Sequence, residues 1–489
     1  MFWTIARFEM NFHRRQYLFY VLSGVFFLLS FLGTTTEGVQ IGGNFSNVNI
    51  NSPFAILIQL STLSVITLLG AIAFSASGVI RDQELKMAEL FLSTPVRKFE
   101  YVYGRFFGSF VFAAGIYLAA ALGILIGEFM PWLDQERIGA FNLSAYLYSI
   151  WLVGLPNLFI CSSILFCIAT ATRSMMATYT GMVALLMLTF LLETFNEPAT
   201  VETISILDPF ATTAIFEVTR YWTVFEKNTL LPAVEGAFLL NRLLWMAIAL
   251  AFLALASWLY PFNINPSRKQ RKKAALLESD SSPSAPVSAA LPQVHQRFDV
   301  STLWQQFWSQ TRLEVKSIVR STAFLILLLM GLLLVIANAA GNLGNMFGTS
   351  VYPTTAIMLD IINGAFSLPL LFVLVYYAGE LMVRERQVRI SGIIDAMPFQ
   401  NWVMLAAKLS ALTLVIVAML LSAMLAGIGV QLSRGYYEIE LLHYLAGLLF
   451  FFQFPIYLMM VLAIFAYILT RNKFFAMALM VVYVMFLLA

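Results

Sequence analysis

Charge is the scarcest commodity in this chain. Of its 489 residues only 11% are charged, while 60% are apolar and the mean hydropathy is +0.82. A water-soluble surface needs far more charge, so a soluble globular domain is excluded and a polytopic membrane protein is implied. Cysteine is nearly absent: Cys161 and Cys167 both fall inside one apolar run and imply neither a disulfide framework nor a zinc site. The three histidines, His13, His295 and His443, are far apart and no HExxH occurs. Walker A, kinase and G-x-S-x-G signatures are missing too. The chain is therefore expected to bind no cofactor, to hold no metal and not to be an enzyme. Its net charge of +3 is insertion chemistry and gives no sign of a nucleic-acid partner.

What is present is apolar sequence in long runs. A bilayer core takes about 20 apolar residues per helix, which places spans near 17–33, 54–79, 103–127, 145–170, 176–193, 237–260, 322–337, 355–381, 406–431, 444–469 and 475–489. Segment 322–337 is short and is expected to extend into 338–345. The runs are continuous, without the alternation of a barrel strand, so the fold class is all-α. With the N-terminus in the cytoplasm, about 24 of the 29 basic residues fall on the cytoplasmic side; Arg137, Arg220, Lys227, Arg242 and Arg434 are the exceptions. No small-residue cleavage site follows the first apolar run, so a cleaved leader is not expected.

The chain also repeats itself. Arg81-Asp82-Gln83-Glu84, with Lys86 and Pro95, returns as Arg384-Glu385-Arg386-Gln387, with Arg389 and Pro398. In both copies the proline follows the first arginine by fourteen residues, and both copies lie between apolar runs. Two further pairs keep the same order. Arg7, Glu9 and Arg15 match Arg312, Glu314 and Arg320, and Thr172-Arg173-Ser174 matches Thr470-Arg471-Asn472. Both halves start on the same side, which makes the repeat parallel. Two six-span repeats are expected: residues 1–264 form a first transmembrane domain, 265–300 a Ser/Pro-rich cytoplasmic linker with a basic start, and 301–489 a second domain. Registered on the first, the second domain stops at the end of its fifth span, so the sequence reads as a fragment of a longer protein.

Met1–Arg15 and Thr302–Arg320 are amphipathic and are expected to lie in the membrane interface as elbows. Segments 81–97 and 384–401 mix charged and apolar residues and close on a proline. They are expected to form short cytoplasmic helices with a polar and an apolar face, gripped by a soluble motor. Asp82 and Glu84, with Glu89-Leu90 and Ser93-Thr94-Pro95-Val96, resemble the coupling region of type-2 ABC exporter permeases. The family's Gly-Thr pair is replaced by Lys86-Met87 and Arg389-Ile390, and Gly392 stands where the first copy has Glu89. The resemblance covers nearly the whole chain. It implies a bacterial inner-membrane permease without ATPase activity of its own, served by two copies of an ABC ATP-binding subunit that carry ATP and magnesium. The coupling residues it implies are Arg81, Asp82, Glu84, Glu89, Pro95, Arg384, Glu385, Gln387, Arg389 and Pro398.

The layout also resembles two-half permeases that carry a zinc aminopeptidase-type domain after the membrane region. Asp360, toward the outer end of its span, and Arg242, entering the sixth span, are candidate pathway residues. Pairing of Arg242 with Glu193, Glu217 or Glu235 is the more economical expectation. An ion-coupled secondary carrier is the alternative reading, weakened by the scarcity of mid-span carboxylates. The membrane anchor of a larger metallopeptidase-containing protein is another.

Overall fold

The computed structural model describes residues 1–36, 48–75, 77–84, 95–195, 200–260, 299–345, 351–387, 390–396, 400–470, 476, 477, 479, 480 and 483. Among the described residues every regular element is helical. The first half runs α1 (Phe2–Arg14), α2 (Tyr17–Thr35), α3 (Pro53–Ser75), α4 (Ser77–Glu84), α5 (Lys98–Gly127), α6 (Leu143–Thr172), α7 (Met175–Thr194), α8 (Val201–Leu207), α9 (Thr212–Val218), α10 (Val224–Thr229) and α11 (Gly236–Leu259). The second half runs α12 (Val300–Val319), α13 (Thr322–Asn345), α14 (Thr355–Gln387), α15 (Ser391–Asp395), α16 (Asn401–Ser433) and α17 (Leu441–Thr470).

Nine of these helices among the described residues are long and apolar enough to cross a membrane. The chain is a multi-pass helical membrane protein, as its composition requires. In hydrocarbon every backbone donor and acceptor must be satisfied within the segment, and a continuous helix does this. The expected span 54–79 is α3, whose described apolar part, Pro53–Leu68, is shorter than the nine. Expected span 475–489 lies mostly outside the described residues, as does most of the linker 265–300. Segment 322–337 does extend, to Asn345. Spans expected at 103–127 and 406–431 start earlier, at Lys98 and Asn401, because polar residues continue the helix beyond the apolar run.

Of the two charged segments, Arg81–Glu84 fall in α4 and Arg384–Gln387 in the last described turn of α14, and a short helix, α15, lies within 384–401. Residues 85–94 lie outside the described residues.

In the first half α1 and α2 lie along α5, α3 packs between α5 and α6, and α11 covers α6. In the second, α12 lies on α16, α13 packs on α14 and α16, and α17 on α14. The halves meet where α7 packs against α13 and α14, with the rings of Tyr179 and Tyr376 6.0 Å apart. One buried apolar cluster runs through both halves.

Close approach of α1 and α2 to α5 depends on glycine. A Cβ on Gly108 would stand 2.6 Å from Glu9 Cβ and 2.9 Å from the Ala6 carbonyl oxygen. One on Gly123 would collide with the Phe27 carbonyl oxygen. At that contact the Ser30 hydroxyl donates to the Ala120 carbonyl at 2.7 Å, a small-residue seam of the kind that packs helices in lipid. Both α6 and α17 contain one π turn, at Ile150–Gly154 and Gly447–Phe451.

Candidate functional site at the root of the charged segments

The elbow helix α1 is built inside out. Its buried residues are Ala6, Glu9 and His13, one turn apart on one face, whereas Trp3 and Phe8 are exposed. A helix that turns its acid inward needs cations waiting there. The chain supplies them from two other helices.

Glu9 is fully buried. One carboxylate oxygen accepts from Arg81 of α4 at 2.8 Å and from Arg105 of α5. The other accepts from the same Arg81 nitrogen at 3.2 Å and lies 2.9 Å from His13 Nε2. Arg105 also donates to Asp82, which accepts the Tyr101 hydroxyl. The Arg81 guanidinium stacks over the Phe12 ring, 3.7 Å from its centroid. Two acids and two arginines thus alternate from α1 through α4 to α5. Burial alone would push the Glu9 carboxyl up. The hydrogen bond from His13 and the charges of Arg105 and Arg81 outweigh it and hold the group at about 2.

The second half holds the corresponding set. Glu314 of α12 is buried, 3.7 Å from Arg384 at the end of α14. Glu385, the next residue, pairs with buried Lys408 of α16 at 2.8 Å. Glu314 accepts from Gln310 at 2.9 Å, and Arg384 donates to the Ser317 hydroxyl at 2.8 Å. Glu314 follows Glu9 by 305 residues; Arg384, Glu385 and Lys408 follow Arg81, Asp82 and Arg105 by 303 each. The buried positions of α12, Thr311, Glu314 and Ile318, likewise follow those of α1 by 305. The second set is looser: the Arg384 side chain is 45% exposed, against 16% for Arg81. Burial lifts the Glu314 carboxyl, and Lys408 and Arg384 do not cancel that shift.

No protein-family model, curated protein or solved structure matches this chain. Its reading therefore rests on its own geometry.

Of the residues singled out by sequence, Glu9, Arg81, Asp82, Glu314, Arg384 and Glu385 come together in these two clusters. Asp82 and Glu9 face inward and are not available on the surface. Arg7, Arg15, Arg312 and Arg320 are exposed on the elbows, and Pro95 is exposed ahead of α5. Glu84 and Gln387 are the last described residues of α4 and α14, while Glu89, Arg389 and Pro398 lie outside the described residues. Arg105, Lys408, Tyr101 and His13 went unrecognised. The offset of 303 that pairs Arg81 with Arg384 also pairs Arg105 with Lys408, two cations just inside apolar spans, so the signal was present.

Arg242 and Asp360 belong to neither cluster. Arg242 is buried and donates to the amide oxygens of Asn157 at 2.7 Å and Asn241 at 2.7 and 3.0 Å. Glu193, Glu217 and Glu235 are not its hydrogen-bond partners, contrary to expectation; Glu217 lies 3.9 Å from Arg220 instead. Asn241 donates to the carbonyls of Ser205, Ile206 and Asp208, and Asp208 accepts from the backbone of Phe210 and Thr213. This network fastens α8 and α9 to α11 and α6. Asp360 is exposed on α14, on the same face as Gly364 and Ser367.

Proposed function

We propose that this chain is the permease subunit of an ATP-driven exporter of the type-2 ABC class, in which a separate ATPase subunit drives translocation. In this reading residues 1–264 and 301–489 are two fused transmembrane domains related by a parallel repeat, with the N-terminus in the cytoplasm of a bacterial inner membrane. Two ATP-binding subunits seat on the segments that follow Arg81 and Arg384.

The observation that carries the reading is the pair of ion clusters at equivalent positions at the root of those segments. A helix pushed at its end moves as a unit. Salt-bridged to the elbow and to the next span, it carries both with it. A carrier driven by an ion gradient has no need for two matched mechanical junctions at one end of the bundle, whereas a pair of cassettes closing on each other does. In this reading Asp82 and Glu385 transmit load, and the contact surface lies further along, in 85–97 and 388–401. The π turns of α6 and α17 at matching places supply two further points where a span can change shape.

The test is to purify the protein from its native membrane and identify what accompanies it by mass spectrometry. An ATP-binding cassette subunit, lost when residues 85–94 are scrambled, is the expected result. Transport that survives ATP depletion and collapses with a protonophore sinks the proposal and favours a carrier. Aminoacyl hydrolysis by a longer form of the protein favours the peptidase anchor.

A further inference from the structure

Glu128 follows the last turn of α5, at the end of the bundle opposite the ion clusters; the helix between Arg105 and Glu128 is about 35 Å long. It is 8% exposed, and among the described residues no lysine, arginine or histidine pairs with it. Its neighbours are neutral. Tyr146, in the first turn of α6, donates its hydroxyl to Oε1. Asn51, in the residues leading into α3, also hydrogen-bonds it. Asn51 is itself clamped to the loop after α5: its Oδ1 accepts from Gly139 N at 2.7 Å and its Nδ2 donates to Gly139 O at 2.9 Å. From α2, Thr34 packs on Gly127. The charged side chains nearest along the chain are Asp134, Glu136 and Arg137. Glu128 is thus a carboxyl group at the junction of α3, α5 and α6.

The second half shows what this junction requires. The residue 303 positions after Glu128 is Gln431, and the residue 298 after Tyr146 is Tyr444, the two shifts that also relate Arg105 to Lys408 and Thr172 to Thr470. Gln431 is fully buried. Its Oε1 accepts the Tyr444 hydroxyl at 2.9 Å, and its Nε2 donates to the Pro353 carbonyl at 2.8 Å, just before α14. The same tyrosine therefore donates to the same side-chain position in both halves, onto an amide in one and a carboxyl in the other. A carboxylic acid that keeps its proton is the near-isostere of that amide: one oxygen accepts, and the other end donates. A carboxylate accepts only.

We propose that Glu128 is a proton-binding site: its neutral acid form does in the first half what Gln431 does in the second, and loss of the proton loosens the junction of α3, α5 and α6. Burial supports this. It raises the Glu128 carboxyl from its ordinary range to about 7, against the lowering effect of the Tyr146 and Asn51 hydrogen bonds. The proposal is independent of the exporter reading, since it concerns a proton held at one site and not the energy source.

The protein in lipid nanodiscs would be titrated from pH 5 to 9 by infrared difference spectroscopy, following the C=O stretch of a protonated carboxylic acid. The expected result is a band that disappears with a midpoint near pH 7, is absent in Glu128→Gln, and moves to higher pH in Tyr146→Phe, which removes a donor to the charged form. Hydrogen exchange in residues 128–142 should rise across the same midpoint in the wild type and stay flat in Glu128→Gln. A merely structural tyrosine would leave the midpoint unmoved. No titrating band, no band component lost in Glu128→Gln, or a midpoint of that component unchanged in Tyr146→Phe would each overturn the proposal. Should Glu128→Gln fail to fold, the isostere argument fails with it.

Discussion

Arg105 and Lys408 are 303 residues apart in the chain and hold the same place in their halves. Each is a buried cation near the start of a long spanning helix, and each faces the acid that follows an arginine at the end of the preceding span: Asp82 for Arg105 and Glu385 for Lys408. They are not interchangeable. The guanidinium of Arg105 reaches two acids at once, Glu9 and Asp82, as its fork of donors allows, whereas the ammonium of Lys408 makes one close pair.

Arg105→Leu leaves Glu9 and Asp82 buried without their shared partner. Removing one member of a buried ion pair costs about 3–5 kcal/mol. A large fall in melting temperature in detergent is expected, read by tryptophan fluorescence. Lys408→Leu should cost less, because the side chain of its partner Glu385 is 20% exposed and can draw in water. Equal losses would contradict the asymmetry.

The two elbow acids should respond to pH with opposite sign. Glu9 is depressed, so its contribution is fully present above its ordinary value of 4.5 and is lost as the pH falls toward about 2. Glu314 is raised, so its junction is most stable below the ordinary carboxylate range and weakens as the pH rises through the raised value. At neutral pH, Glu9→Gln should destabilise the protein while Glu314→Gln should be neutral or stabilising. Thermal melts at about pH 2.5, 4, 6 and 8 check both signs.

Gly108→Leu forces α1 away from α5, because even a Cβ there meets Glu9 and the Ala6 carbonyl within 3 Å. Overpacking of this kind costs about 1–3 kcal/mol. The distinguishing readout is local: hydrogen exchange should rise in 2–14 and not in 300–319.

Arg242→Met removes the donor that ties Asn157 of α6 to Asn241 of α11. Exchange in α8 and α9 is expected to increase, with α1 and α5 unaffected. If α8 and α9 keep their protection, the Asn241 contacts to the Ser205, Ile206 and Asp208 carbonyls hold them without the arginine.

Most of the spans were legible because a bilayer imposes one length and one composition on them. The elbows were legible as amphipathic helices, but not the direction of their polar face: amphipathicity gives two faces, and in soluble proteins the apolar one goes inward. Here Glu9 goes inward, which only Arg81 and Arg105 explain. Arg81 and Asp82 stood out as a repeated motif, yet their role as inward ligands depended on a cation within an apolar run. Arg242 was placed at its span edge, but its amide partners, Asn157 and Asn241, carry no charge to advertise them. Glu128 and Gln431 were hidden for another reason: they differ in charge and share only position.

The outward face of α1 has a consequence for handling the protein. Phe8, its ring centroid 5.3 Å from the Arg105 guanidinium, covers the cluster of Glu9, Arg81 and Arg105, and in a membrane acyl chains and headgroups complete that cover. The surrounding medium thereby sets how much water reaches the ions, and with it the dielectric in which they attract each other. A short-chain detergent that thins this cover makes the cluster behave as a surface pair, weak and sensitive to salt, whereas a lipid disc keeps it dry. Salt dependence of melting, compared between detergent and lipid, thus measures the watertightness of the elbow.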